Sequence, residues 1–311
     1  MAKILITETI HEVGINYLKA AGHQLVFADR DMDVIRREIQ DCDAVVVRIV
    51  DLPRELLETA RALKIISKHG VGVDNIDLEY CKSRGIAVTI TPNANALSVA
   101  EHAFALMMAL SKNLIPVSEE YREKGFSAKN HAPGVELTGK TLGVIGAGHI
   151  GMQLIHMCQK GFGMNVIVYD PYLTEVPEGV EQSPTLEKLL QEADFVSLHC
   201  VLNDETRKMI DRKRLGEMKP SAFLINCARG PIVDEEALIE ALQSGKIAGA
   251  GLDVTDPEPL EADSPLFQME NVIVTPHYAP TTLEASIRVS CIAAENAHAY
   301  LSGREPVGRI V

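Results

Sequence analysis

With 311 residues, 46% of them hydrophobic, the chain can bury a sizeable core and has the length for two domains. A net charge of −13 with no compensating run of basic residues speaks against nucleic-acid binding, and no stretch of about 18 uninterrupted apolar residues offers a membrane span. Six scattered cysteines without a C-x-x-C pair give neither zinc-ribbon nor dithiol redox spacing, so reduced thiols, no metal site and a cytoplasmic protein are expected; MAKILITETI also lacks the pattern of a signal peptide.

In chain order, short β-branched runs alternate with longer amphipathic stretches, the pattern of parallel strands joined by crossover helices, and the expected class is α/β. The first series of strand candidates is KILIT (3–7), QLVFA, AVVVRI (44–49), KIISK (64–68) and IAVTI, with helices such as PRELLETARAL between them. A single long helix over about 98–123 then breaks the rhythm and reads as a domain connector, since helices average about 11–12 residues. The second series runs through TLGVIG (141–146), NVIVYD, FVSLHC, AFLINCA, AGAGLDV and VIVTP (272–276). These are nearly continuous apolar runs, as expected of strands buried on both faces. A closing helix is expected over about 282–301.

Gly146-Ala147-Gly148-His149-Ile150-Gly151 is a G-x-G-x-x-G that follows an apolar strand and opens a helical segment. In that context Gly146 permits the tight turn, Gly148 removes the Cβ that would block a pyrophosphate, and Gly151 lets helix and strand pack closely. The N–H groups of the helix start, at His149 and Ile150, then face the phosphates. The next strand ends in Asp170, nineteen residues after Gly151, where a carboxylate accepts from the ribose hydroxyls and repels a 2′-phosphate. The expected cofactor is NAD.

Three further segments put polar residues just beyond a buried strand, where open α/β sheets bind ligands: Asn226 to Gly230, Asp253 to Pro259, and Thr275 to His277. They supply a cation, carboxylates and an imidazole. Reduction of a 2-oxo acid needs a cation for the carboxylate, polarisation of the carbonyl and a proton donor for the developing alkoxide. Arg229 suits the first two tasks. His277 suits the third, provided a carboxylate such as Glu258 steadies its protonated form.

On these segments, together with SKHGVGVDNID (67–77), SVAEHAFALMMAL, GKTLGVIGAGHIG, VSLHC, INCARGPIVDEEAL, GAGLDVTDPEPL and VTPH, the whole chain resembles the D-isomer-specific 2-hydroxyacid dehydrogenase family. The resemblance implies a catalytic trio of Arg229, Glu258 and His277. It also implies that the backbone N–H groups of Val71 and Gly72 hold the substrate carboxylate opposite Arg229, with Val71 against the cofactor as well. Cys200, Cys227, Ala228 and Asp253 would lie along the cofactor, Asp253 near the nicotinamide amide and Cys227 as a backbone contact. The implied architecture is two doubly wound parallel-sheet domains. A Rossmann cofactor domain (99–282) is inserted into a flavodoxin-like substrate domain (1–98 plus 283–311), with a hinged cleft that closes over substrate. The 98–125 region resembles the segment through which such enzymes dimerise, so a homodimer is expected. Departures from the family pattern are Tyr278-Ala279-Pro280 after the histidine, Val201 in place of a common proline, and the absence of any tryptophan.

Arg48 stands where phosphoglycerate dehydrogenases of the family carry a substrate-contacting arginine, and Lys68 and His69 add positive potential beside the carboxylate nest. A doubly anionic, phosphoglycerate-like acid is therefore expected, with a glyoxylate/hydroxypyruvate reductase as the alternative. Because the chain ends soon after its last helix, the regulatory domain of long phosphoglycerate dehydrogenases is expected to be missing. An NAD-sensing regulator of the same fold is the non-enzymatic alternative, against which the retained trio argues. Formate dehydrogenase, which shares the architecture, uses a glutamine where this chain has Glu258.

Overall fold

The computed structural model describes residues 1–311, which divide into two compact units: Met1–Asn95 with Thr281–Val311, and Ala96–Pro280. The first unit is built on five parallel strands, β1 (Lys3–Ile6), β2 (Gln24–Phe27), β3 (Ala44–Val47), β4 (Ile65–Lys68) and β5 (Ala87–Thr89), in the order β2-β1-β3-β4-β5. That is the flavodoxin-like doubly wound order. Its helices are α1 (Glu12–Ala20), α2 (Met32–Glu38), α3 (Arg54–Leu57), α4 (Leu78–Arg84) and the C-terminal α11 (Leu283–Leu301).

The strands are apolar along their whole length because both faces are covered. Ile4, Ile6, Val46 and Ile65 pack on α11 through Ala293, Ala294 and Ala297, while the alternate residues Leu5, Val45, Val47 and Ile66 fill a separate core with Ile35, Leu57 and Cys81. The tail runs antiparallel along the outer edge of β5, bridging Thr89 to Arg309 and so covering that edge.

The second unit contains seven parallel strands: β6 (Thr141–Ile145), β7 (Asn165–Tyr169), β8 (Val180–Gln182), β9 (Phe195–Leu198), β10 (Phe223–Asn226), β11 (Gly249–Leu252) and β12 (Val272–Val274). Their order, β12-β11-β10-β9-β6-β7-β8, winds both ways from β6. The chain therefore reverses direction between β6 and β9, and a crevice opens there at the strand ends. Its helices are α5 (Ala96–Ser111), α6 (Leu114–Lys124), α7 (His149–His156), α8 (Leu186–Glu192), α9 (Arg212–Glu217) and α10 (Glu235–Gln243). One sheet face packs Val99, Ala103, Leu106 and Leu110 of α5 against Leu142, Val144 and Val166. The other packs Leu189, Leu215 and Leu238 against Val196, Leu198 and Leu224.

Two local expectations are corrected, and one strand is added. The long connector is two helices rather than one, because Asn113 adopts φ +48° and its amide donates to the carbonyl of Ala132; asparagine tolerates that left-handed conformation better than most residues. The segment 53–63 forms only the four-residue α3. β8, in the sequence VEQ, carries too little apolar signal to be read, since only Val180 faces the core. The units change over at 95/96 and 280/281, where α5 begins and where the Thr282 cap of α11 is approached.

Candidate active site

The turn after β6 is shaped by its glycines. Gly146 has φ +91°, and a Cβ on it would lie 2.6 Å from the backbone nitrogen of Cys200. A Cβ on Gly151 would lie 2.3 Å from the carbonyl oxygen of Gly146, so α7 starts directly against the turn. Gly148 is different: a Cβ there would meet nothing within 4 Å. It caps α7, so the first N–H groups of that helix, at His149 and Ile150, have no partner within it. Open space in front of a glycine and unpaired helix N–H groups together suit a pyrophosphate. Cys200 and Cys227 stand at the ends of β9 and β10; burial pushes the Cys200 thiol up to about 11 and the Cys227 thiol higher still, so neither is a thiolate nucleophile.

Asp170 is pre-organised. Its Oδ2 accepts from the Ala147 N–H of the glycine turn at 2.9 Å, and its Oδ1 from the Tyr172 N–H at 2.9 Å. Each oxygen keeps acceptor capacity for a hydroxyl. Beside it lies a groove of about 360 Å³ lined by Tyr169, Asp170, Pro171, Gln182, Ser183 and Pro184, without lysine or arginine.

The loops after β10, β11 and β12 are interlocked. Asn226 accepts from the Ala228 N–H at 3.0 Å and donates to the Arg229 carbonyl at 2.9 Å, and the Arg229 guanidinium donates to the Ala228 carbonyl at 2.7 Å. The next residue, Gly230, touches the following loop so closely that a Cβ would sit 1.9 Å from the carbonyl oxygen of Thr255. Arg229 is thereby seated next to the loop that carries Glu258.

His277 forms the corner of the third loop. Its φ of +53° costs about 1–2 kcal/mol for a residue with a Cβ, and its own N–H donates to the Asp253 carbonyl at 2.7 Å. Its Nδ1 lies 2.7 Å from Glu258 Oε1. A carboxylate only accepts, so Nδ1 carries the proton and Nε2 is left to face a ligand.

Asp253 is 1% exposed and accepts from the Thr275 hydroxyl at 2.6 Å, the Tyr278 N–H at 2.7 Å and the Ala279 N–H at 2.9 Å. It braces the His277 corner from within. This role, and the approach of His102 to Thr275, were not legible in the sequence: a lone histidine on an apolar helix gives no signal of its partners.

In the first unit, Val71 and Gly72 follow β4, and neither backbone N–H is taken by a protein acceptor. Arg48 follows β3 in a loop held by the buried Glu8, whose carboxylate accepts from the N–H groups of Arg48, Ile49 and Val50 and from Thr7. Burial works to raise the Glu8 carboxyl, but these hydrogen bonds prevail and hold it below its ordinary range. Lys68 donates to the Arg48 carbonyl and to Asn75, so it is committed to the loop. Burial, with the Arg48 charge adding, lowers His69 to about 4, which leaves a neutral imidazole bonded to Ser290 at neutral pH.

Residues 104–279 match the family model described as D-isomer specific 2-hydroxyacid dehydrogenase, NAD binding domain. The chain is 43% identical over 307 residues to the D-3-phosphoglycerate dehydrogenase of Methanocaldococcus jannaschii, which covers 97% of this chain but only 58% of the relative. It is 39% identical over 314 residues to the glyoxylate reductase of Korarchaeum cryptofilum, covering 98% of this chain and 94% of the relative. Thus it spans a little over half the length of the first relative and nearly all of the second. The solved NADPH-dependent glyoxylate/hydroxypyruvate reductase of Sinorhizobium meliloti superposes with a TM-score of 0.88 at 28% identity, over 100% of this chain and 97% of the other. With its two parallel sheets, its glycine turn and its interlocked strand-end loops, the chain belongs to the D-isomer specific 2-hydroxyacid dehydrogenase family.

Proposed function

We propose that this protein is an NAD-dependent D-2-hydroxyacid dehydrogenase, exchanging a hydride between NAD(H) and C2 of a small, doubly anionic 2-hydroxy or 2-oxo acid. The observation that carries the reading is the His277–Glu258 pair at 2.7 Å, held in the same unit as a glycine turn fit for a dinucleotide. Bound nicotinamide supplies the hydride donor or acceptor. His277 Nε2 gives a proton to the carbonyl oxygen as C2 becomes CH–OH, and takes it back in the oxidative direction. Glu258 keeps the proton on Nδ1 and balances the imidazolium charge. Arg229 draws electron density toward the carbonyl oxygen and, with the N–H groups of Val71 and Gly72, takes the substrate carboxylate. Ala228, Cys200, Cys227 and Asp253 would line the cofactor.

Asp170 and the absence of a cation in the adjoining groove favour NAD over NADP. The Arg48 guanidinium makes no ion pair, in a loop that Glu8 and Lys68 hold in place, and this supports a second anionic group on the substrate, as in phosphoglycerate. The 39% identity over 314 residues to the Korarchaeum cryptofilum glyoxylate reductase supports a second reading, a glyoxylate/hydroxypyruvate reductase.

A panel of phosphohydroxypyruvate, oxaloacetate, hydroxypyruvate and glyoxylate, run with NADH and with NADPH, separates these. The dianions with NADH should turn over fastest, and Arg48→Ala should lower their kcat/KM about tenfold or more relative to the monoanions, the worth of a charged hydrogen bond. An unchanged ratio would leave the reductase reading. No turnover with NADH still bound would point to an NAD-sensing regulator.

A homodimer is proposed from α6, which buries no side chain and leaves Leu114, Tyr121 and Phe126 of its neighbourhood 61%, 60% and 75% exposed. Light scattering should give twice the chain mass of 33.9 kDa; a monomer would overturn the proposal. Six free cysteines suit a reducing compartment, and we read the protein as cytoplasmic, which cell fractionation checks.

A further inference from the structure

His102 lies on α5, far in sequence from Glu258 and His277, and its ring is largely enclosed. Its Nε2 is 3.0 Å from the Thr275 hydroxyl and 3.5 Å from Asp253 Oδ1, and its ring stands 6.4 Å from that of Tyr278 at 60°. The direction of these bonds follows from the donors available. The Asp253 carboxylate only accepts, so the Thr275 hydroxyl spends its single proton on Asp253. The hydroxyl can then only accept from His102, and Nε2 must carry a proton in either charge state of the ring. His102 is also the sole positively polarisable side chain within ion-pair distance of this buried carboxylate. Every donor that Asp253 receives, at Thr275, Tyr278 and Ala279, belongs to the turn whose corner is His277.

We infer that His102 is a positioning residue for His277, acting through Thr275 and Asp253 to hold the strained corner that presents Nε2. The inference rests on the reading of His277 as the proton-transferring group, but the geometry it describes does not depend on turnover. A half-satisfied hydroxyl beside a buried carboxylate lets the Thr275 rotor and the carboxylate move together, and the corner moves with them.

The test uses the full chain with His102→Phe and His102→Leu, which both remove the donor so that the comparison survives if one fails to fold, and with His102→Gln, whose amide N–H can replace it. Two quantities are read: amide hydrogen exchange at Tyr278 and Ala279, and kcat against KM for NADH. Losing the donor should speed exchange at these two amides about tenfold, leave the β6 and β7 amides unchanged, and lower kcat by a similar factor while KM for NADH changes much less. His102→Gln should restore most of both. Unchanged exchange in the donorless variants, or a glutamine variant no better than phenylalanine, overturns the inference. If the wild type reduced no 2-oxo acid, the catalytic reading would fall while the exchange data still decided the role of His102.

Discussion

Replacing His277 with alanine should lower turnover about 10³-fold, within the 10²–10⁴ range for losing a positioned general acid, while NADH binding is retained. The separation is expected because the Gly146–Gly151 turn and Asp170, assigned to the pyrophosphate and the ribose, are held by their own contacts and not by the His277 corner. Alanine at φ +53° also carries backbone strain of about 1–2 kcal/mol. His277→Asn removes the imidazole with a residue that accepts the left-handed conformation. Turnover should fall equally in both variants, with a higher melting temperature in the asparagine one. Steady-state kinetics, NADH fluorescence titration and thermal denaturation together read this out, and an active asparagine variant would remove His277 from the chemistry.

Gly230→Ala should also be strongly damaging, without touching a reacting group. Its Cβ would lie 1.9 Å from the Thr255 carbonyl oxygen and 2.8 Å from the Asp256 nitrogen, both backbone atoms that cannot rotate away. The loop of Arg229 and the loop of Glu258 must therefore part, at a cost of about 1–3 kcal/mol or more for overpacking. A displacement of about 1 Å at these groups is enough to lower kcat/KM about 10²-fold. Gly148→Ala provides the contrast: with no neighbour within 4 Å it should leave the melting temperature unchanged and weaken NADH binding. If Gly230→Ala retained wild-type turnover, the contact between these loops would have no bearing on catalysis.

The α/β class, the strand list apart from β8, and membership of the family were legible in the sequence, and for physical reasons. Strands covered on both faces must be apolar throughout, as β3 and β9 are, and a dinucleotide turn must place glycine where a Cβ would collide or obstruct. Those requirements are local, so they appear as local patterns. The Asp170 carboxylate was legible for the same reason, since strand length fixes its distance from the glycine turn. What escaped depends on groups brought together from distant parts of the chain. The break at Asn113 turns on a side-chain bond to Ala132, nineteen residues away. The clamp on the Arg48 loop comes from Glu8, forty residues earlier. The bracing of His277 joins Asp253, Thr275 and His102, the last separated from Thr275 by 173 positions. By itself the sequence determined which residue types stand at the strand ends and what chemistry they can perform. Only the tertiary structure decided which hydrogen bonds they make, because a buried donor or acceptor takes its partner from whatever side chain the packing brings within 3 Å, at any distance along the chain.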